Sequence, residues 1–280
     1  MSGTRTIALE GATLHLAETG EGDPLVLIHG SLDGMESFRR QVPELERHYR
    51  VIRYARRFHP PSQTHSGSDR YTLARHSRDL LVLLDRLGCE AAHLVGSSYG
   101  GYVALGAALE QPDHVRSLVL GEPPILPFLR RSGEGRAALE EFERTALDPA
   151  REAFSRGDAP SAVASFIDGI RGKRGTFRAL PAQSQEDLLA FAPELRAELT
   201  TDAAQFMPDI PCQALKDLKL PVLLVSGQKS VRLFGLITEE LARCLTYARR
   251  MVIPGAGHAM HVMNPAFYTR ELLRFLQQYA

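Results

Sequence analysis

The stretch His93–Gly101 reads H-L-V-G-S-S-Y-G-G, and within it Gly96-Ser97-Ser98-Tyr99-Gly100 forms a G-x-S-x-G pattern between an apolar run and a segment rich in Ala and Gly. Strand, sharp turn and helix in that order push the central residue into a strained conformation. Glycine at 96 and 100 omits the Cβ atoms that would collide there. Ser98 is therefore expected to project as a nucleophile. The helix starting at Tyr99 aims its positive end and free N–H groups at the same point, which favours an oxyanion beside Ser98. The chemistry implied is acyl transfer, in which a histidine takes the hydroxyl proton and a carboxylate orients that histidine.

The elements that must hold this turn are legible in the hydrophobic pattern. Thr13–Glu18 alternates, while Leu25–His29, Val51–Tyr54, His93–Val95, Val115–Leu120, Val222–Val225 and Met251–Ile253 are compact apolar runs, as strands buried on both faces should be. Helical stripes separate most of them: Phe38, Val42 and Leu45; Leu80, Leu83, Leu84 and Leu87; Phe234, Ile237, Leu241 and Leu245. A last helix, with Asn264 as cap and Pro265 in its first turn, carries Tyr268, Leu272, Phe275, Leu276 and Tyr279 and is expected to close the far edge of the sheet. The fold class is α/β, a mostly parallel central sheet with helices on both faces. Between Pro123 and Pro221 no convincing strand occurs, and helical patterns near Gly135–Arg144, Ser161–Ile170 and Gln185–Leu199 read as an inserted helical cap. The expected division is residues 1–122 and 216–280 as two parts of one core, with 123–215 as the cap.

With these residues in place, the chain resembles the α/β-hydrolase superfamily over nearly its whole length apart from the cap. His29-Gly30-Ser31 is similar to that family's HG-x segment, and the resemblance implies an oxyanion hole made by the backbone N–H groups of Ser31 and Tyr99, with Leu32 as the substitute for Ser31. His29, before a Gly turn, reads as structural. Pro254-Gly255-Ala256-Gly257-His258 matches the superfamily's histidine loop, which makes His258 the base. The third member departs from the family. Most members carry an Asp in a G-x-x-D segment after the strand equivalent to Val222–Val225, whereas here Gly227-Gln228-Lys229-Ser230 ends in a serine, which supplies no charge. Glu122, at the end of the strand beside the one bearing Ser98, takes the acid's role in this reading, as in zearalenone-type lactone hydrolases. The alternative is that Glu122 caps a turn before Pro123-Pro124 and the acid comes from Asp217 or elsewhere.

The function expected is a serine hydrolase cleaving a carboxylic ester or lactone of a medium-sized, mainly apolar small molecule through an acyl-Ser98 intermediate. Relatives that displace at saturated carbon use an Asp in the elbow, whereas a serine suits a carbonyl. The competing readings are a ligand-binding or receptor-like protein on the same scaffold with little turnover, a carbon–carbon bond hydrolase and a cofactor-free oxygenase. For the substrate, Phe128, Phe142, Phe154, Phe166 and Phe177 of the cap are candidate apolar lining, with core filling as the bland alternative. Arg56, Arg57 and His59 follow strand Val51–Tyr54; a solvated loop is the default reading, and a grip by Arg56 on a substrate carboxylate the functional one.

Composition narrows the partners. Lys plus Arg and Asp plus Glu each number 33, so no net field gathers nucleic acid or an anionic membrane. No apolar run approaches the roughly 20 residues that span a bilayer, and Met1–Glu10 lacks the basic start of a secretory signal, so a cytoplasmic chain is expected. Cys89, Cys212 and Cys244 form no CxxC pair and read as small core residues in a reducing compartment. No cofactor is called for. His261 follows His258 by three positions but has no completing ligand nearby, so no metal site is expected. The oligomeric state is left open, with a dimer allowed.

Overall fold

The computed structural model describes residues 4–64 and 71–279. Nine strands form one sheet: β1 (Thr4–Leu9), β2 (Ala12–Thr19), β3 (Pro24–Ile28), β4 (Arg50–Tyr54), β5 (Gln63–Thr64), β6 (Ala92–Ser97), β7 (Val115–Gly121), β8 (Val222–Gly227) and β9 (Ala248–Ile253). Their order is β1-β2-β4-β3-β6-β7-β8-β9, with β5 paired to β2. From β4 to β9 along that order every pairing is parallel, while β1 and β2 run antiparallel at one end.

The period of two in each central strand divides the core into two layers. Val26 and Ile28, Leu94, Leu118 and Leu120, and Leu224 pack on one face, against helices Leu73–Arg86, Tyr99–Glu110 and Arg232–Cys244. Leu25 and Leu27, Val95, Val119, and Leu223 and Val225 pack on the other, against helix Pro265–Leu276. Because both faces are covered, these strands read in the sequence as continuous apolar runs. Area scaling predicts a folded surface of roughly 12,000 Å² for this mass, and the surface is 12306 Å².

Three expectations change. β1 escapes the sequence pattern because its residues are mostly exposed. The last helix, capped by Asn264 accepting from the Phe267 N–H at 3.4 Å, covers one face of the sheet and does not close its edge. The far edge is β9, which is solvent-facing over much of its length instead of buried on both sides. Between β7 and β8 the regular elements are all helical, joined by turns, and Phe154, Phe166, Phe177, Leu195 and Leu199 gather into a separate apolar cluster to which Leu32, from the loop after β3, contributes. The helical pattern Gln185–Leu199 is broken at Phe191 into Ala182–Ala190 and Ala192–Thr200, with Pro193 in the first turn of the second.

The reading of the cysteines is also corrected. Cys212 opens a short helix and Cys244 ends helix Arg232–Cys244; their Cα atoms lie 5.1 Å apart and the sulfurs are bonded, while Cys89 is free and buried. Two cysteines 32 residues apart in sequence, on different helices, form a pairing that spacing alone does not reveal. The cysteines therefore give no support to a reducing compartment. Among the described residues no helix is long and apolar enough to cross a membrane. Closing a loop of that length removes unfolded-state freedom worth about 3–4 kcal/mol. Cys212→Ala is expected to lower unfolding stability by about 2–4 kcal/mol, read as a shift of the urea midpoint that dithiothreitol reproduces in the unaltered protein.

Candidate functional site

Ser98 sits between β6 and helix Tyr99–Glu110 with φ 51° and ψ −124°. A left-handed φ on a non-glycine residue persists only where the surroundings enforce it. Here the Ser98 N–H donates to the Gly121 carbonyl at 2.7 Å and its carbonyl accepts from the Gly101 N–H at 2.9 Å. A Cβ on Gly96 would lie 2.3 Å from the Gly100 oxygen, and one on Gly100 2.2 Å from the Ile28 oxygen, so both glycines are required by close backbone approach. Tyr99 opens the helix, so its N–H is among those without an intrahelical acceptor. Ser31 follows β3 and lies with Ser98 in the walls of two cavities.

Glu122 directly follows β7 and also has a left-handed φ, 45°. Its N–H donates to the Val225 carbonyl at 3.1 Å, which fixes it across the end of β8. One carboxylate oxygen, Oε1, accepts from the Gly227 N–H at 2.8 Å; the other, Oε2, lies 2.7 Å from His258 Nδ1. The carboxylate is 1 % exposed. A buried anion needs such partners, and the Nδ1 contact assigns the proton of a neutral imidazole to that nitrogen and leaves the Nε2 lone pair open. His258 also stacks on Phe234, ring centres 4.0 Å apart. Its Nε2 has no hydrogen-bond partner among the described residues, and the ring lines the smaller cavity together with Ser98.

The turn Gly227–Ser230, where the family's acid is expected, supports the histidine loop through its backbone. Lys229 N–H donates to Ala256 O at 2.7 Å and Gln228 N–H to Ile253 O at 3.1 Å. The Ser230 hydroxyl is buried with no hydrogen bond among the described residues. Asp217 ends a short helix and contacts Gln213, and the structure does not bring it to His258.

Two cavities meet at Ser98. The larger, about 570 Å³, is walled by Leu126, Phe142, Phe166, Leu199, Phe206 and Phe234; the smaller, about 210 Å³, includes Leu32, Ile167, Leu188 and His258. Of the five cap phenylalanines, Phe142 and Phe166 face the larger space. Phe154 and Phe177 fill the cap's own cluster. Phe128 is corrected from lining to core: it is buried, with the Arg131 guanidinium 4.0 Å from its ring centre.

The second correction concerns Arg56, Arg57 and His59, which are buried and not solvated. Arg56 donates to the carbonyls of His29 and Gly30, each at 3.1 Å, and to the Tyr71 hydroxyl, and its Nη2 lies 3.1 Å from Glu194 Oε1. His59 Nδ1 pairs with the other oxygen of Glu194. Arg57 grips Asp79 with two bonds of 2.6 and 2.7 Å. Arg56 is thus committed to protein partners and offers no grip to a substrate carboxylate. His29 is structural, as its sequence context suggests: Nδ1 donates to Gly30 O at 2.9 Å while Nε2 accepts from the Arg56 N–H at 3.0 Å. His261 stacks on Phe38 and its Nε2 is 2.6 Å from the Ser37 hydroxyl. Sequence reasoning missed Glu194 and Glu198. The one signal for them is a pair of carboxylates four residues apart within an otherwise apolar helical stripe.

A family model described as alpha/beta hydrolase fold matches residues 23–265. Epoxide hydrolase A of Mycobacterium tuberculosis is 26% identical over 313 residues, covering 97% of this chain and 96% of that protein. Among solved structures, Est816, described as an N-acyl homoserine lactone degrading enzyme, superposes with a TM-score of 0.77 at 20% identity, covering 97% of this chain and 100% of that one. Naproxen esterase from Bacillus subtilis gives a TM-score of 0.75 at 18% identity, covering 99% and 92%.

The buried groups make two measurable demands. Arg56 is the guanidinium against which Glu194 and Glu198 are both set. Removing one partner of a buried ion pair typically costs about 3–5 kcal/mol, so Arg56→Met is expected to lose stability of that order in urea unfolding. Burial also holds His29 and His76 well below the ordinary histidine range, His93 at about 4 and His261 at about 3. Below about pH 6.5 the unfolded chain binds these protons and the folded chain does not, so stability falls with acidification, by about 1.4 kcal/mol per unit for each uncancelled proton. Glu198 and Asp33, raised by burial, oppose this with at most two protons against four. The urea midpoint at pH 5 is expected to lie below that at pH 7.

Proposed function

Since the chain belongs to the alpha/beta hydrolase fold family, we propose that it is a serine hydrolase acting on a carboxylic ester or lactone, with Ser98 as nucleophile, His258 as general base and then acid, and Glu122 orienting His258. The observation that carries this reading is the buried 2.7 Å contact between Glu122 Oε2 and His258 Nδ1, in a histidine whose free Nε2 belongs to the same cavity wall as Ser98. Nε2 takes the Ser98 proton as the hydroxyl attacks the carbonyl carbon, and Glu122 stabilises the imidazolium that forms. The N–H groups of Ser31 and Tyr99 receive the oxyanion. On collapse, the carbonyl–oxygen bond breaks and His258 returns the proton to the leaving alkoxide; water then releases the acyl group from Ser98 by the same steps. A serine, unlike a carboxylate nucleophile, gives an acyl intermediate, which supports carbonyl chemistry over displacement at saturated carbon.

The cavities support a division of the substrate. The leaving oxygen must reach His258, whose ring lines the smaller space, so the alcohol part occupies that side and the acyl part the larger one. A bulky, largely apolar acyl group on a small alcohol, or a lactone spanning both, fits this division.

A fluorophosphonate probe is expected to label Ser98 stoichiometrically, and p-nitrophenyl butanoate to give a burst of nitrophenol under excess substrate. Failure to label the folded protein would leave a ligand-binding role on this scaffold as the better account. Glu122→Gln is expected to lower turnover by about four orders of magnitude. Ser230→Ala, altering a hydroxyl that makes no hydrogen bond among the described residues, is expected to stay within about twofold.

A further inference from the structure

Helix Ala192–Thr200 carries two glutamates into the interior, and only one of them is fully engaged. Glu194 shares its oxygens between Arg56 and His59. Glu198 is 1 % exposed, its Oε1 2.8 Å from the Tyr71 hydroxyl and 3.8 Å from Arg56 Nη2. The same hydroxyl lies 2.9 Å from Glu194 Oε1. A phenol has one proton to donate, so it cannot satisfy both carboxylates at once. Glu198 Oε2 is buried and makes no hydrogen bond of ordinary geometry among the described residues; besides the Tyr71 hydroxyl, that of Ser31 helps the carboxyl. Its residue lines the larger cavity, in the same wall as Ser31 and Ser98.

An incompletely satisfied buried carboxyl costs stability wherever packing alone is at stake. A hydrophobic residue of similar size would complete the cap more cheaply. We propose that Glu198 is a specificity-determining residue: its incompletely satisfied carboxyl, in the wall of the acyl cavity, is a polar anchor for an acyl group that carries a hydroxyl. This rests on the reading of Ser98 as the nucleophile and adds the substrate's second feature, a hydrogen-bonding group on an otherwise apolar acyl chain.

The preference for a hydroxyl follows from the state of the carboxyl. Burial, and then the neighbouring Glu194 charge, raise Glu198 to about 7, against the opposing pull of Arg56, Ser31 and Tyr71. Near neutral pH the group therefore exists both as a donor and as an acceptor, and a hydroxyl, which can donate and accept, suits either form. A site built to bond a substrate hydroxyl discriminates against the analogue lacking it far more strongly than an apolar pocket discriminates against one methylene.

The test compares p-nitrophenyl butanoate with the same ester hydroxylated at C2 or C3. The unaltered chain is expected to favour at least one hydroxylated ester by about tenfold or more in kcat/KM. Glu198→Met should bring that ratio close to one, whereas Glu198→Gln, which still donates and accepts, should keep most of it. A cap that merely packs less well lowers both rates together and leaves the ratio alone. If Glu198→Met does not fold by circular dichroism, Glu198→Asp, which withdraws the carboxyl by one methylene, must lower the ratio instead. Equilibrium binding of the same esters to Ser98→Ala reads the preference without turnover, so failure of the hydrolase reading and failure of this one are separate results. No preference for any hydroxylated ester, or a preference that survives Glu198→Met, overturns the proposal.

Discussion

The Glu122 carboxylate joins three parts of the chain that are far apart in sequence. Its residue ends β7, its Oε1 takes the amide of Gly227 at the end of β8, and its Oε2 takes the His258 ring from the loop after β9. An anion held away from water must be matched on every lone pair that counts, and both oxygens are matched here. The contact therefore fixes the order and spacing of the strand ends as much as it orients an imidazole. The left-handed φ of Glu122 is the local cost of aiming its side chain at that point.

A second buried charge ties the cap to the core. Arg56 comes from the loop after β4 and Glu194 and Glu198 from a helix of the cap, with Tyr71 between them. A guanidinium with fixed forked donors holds backbone carbonyls of the His29–Gly30 turn and a carboxylate of the cap in one geometry. The turn that carries Ser31 is thereby linked to the roof above it. A displacement of the cap helix would leave charges uncompensated in the interior, so the ion pairs oppose movement of the roof over the larger cavity.

The two networks differ in how completely they are satisfied. Around Glu122 both carboxylate oxygens have donors, as a carboxylate held away from water requires. Around Arg56 the acids outnumber the guanidinium, and one oxygen of Glu198 makes no hydrogen bond of ordinary geometry among the described residues. Full satisfaction belongs to the side of the site that holds the machinery rigid. Incomplete satisfaction belongs to the side that opens on the larger cavity.

Elements whose information is local are legible in the amino-acid sequence. The Gly96–Gly100 turn, the alternation of buried strands and helical stripes, the histidine loop and the cap's helical character are all written in windows of a few residues, because periodicity and backbone sterics act at that range. Glu122 was legible as a strand-end carboxylate, but its contact with His258 bridges 136 positions and exists only once β7, β8 and the final loop are assembled. The same holds for Arg56, which resembles any surface arginine until Glu194, Tyr71 and two carbonyls enclose it, and for the Cys212–Cys244 bond between two helices. Tertiary structure decided these because the fate of a charge or a thiol depends on which distant group arrives beside it, and no local pattern carries that information.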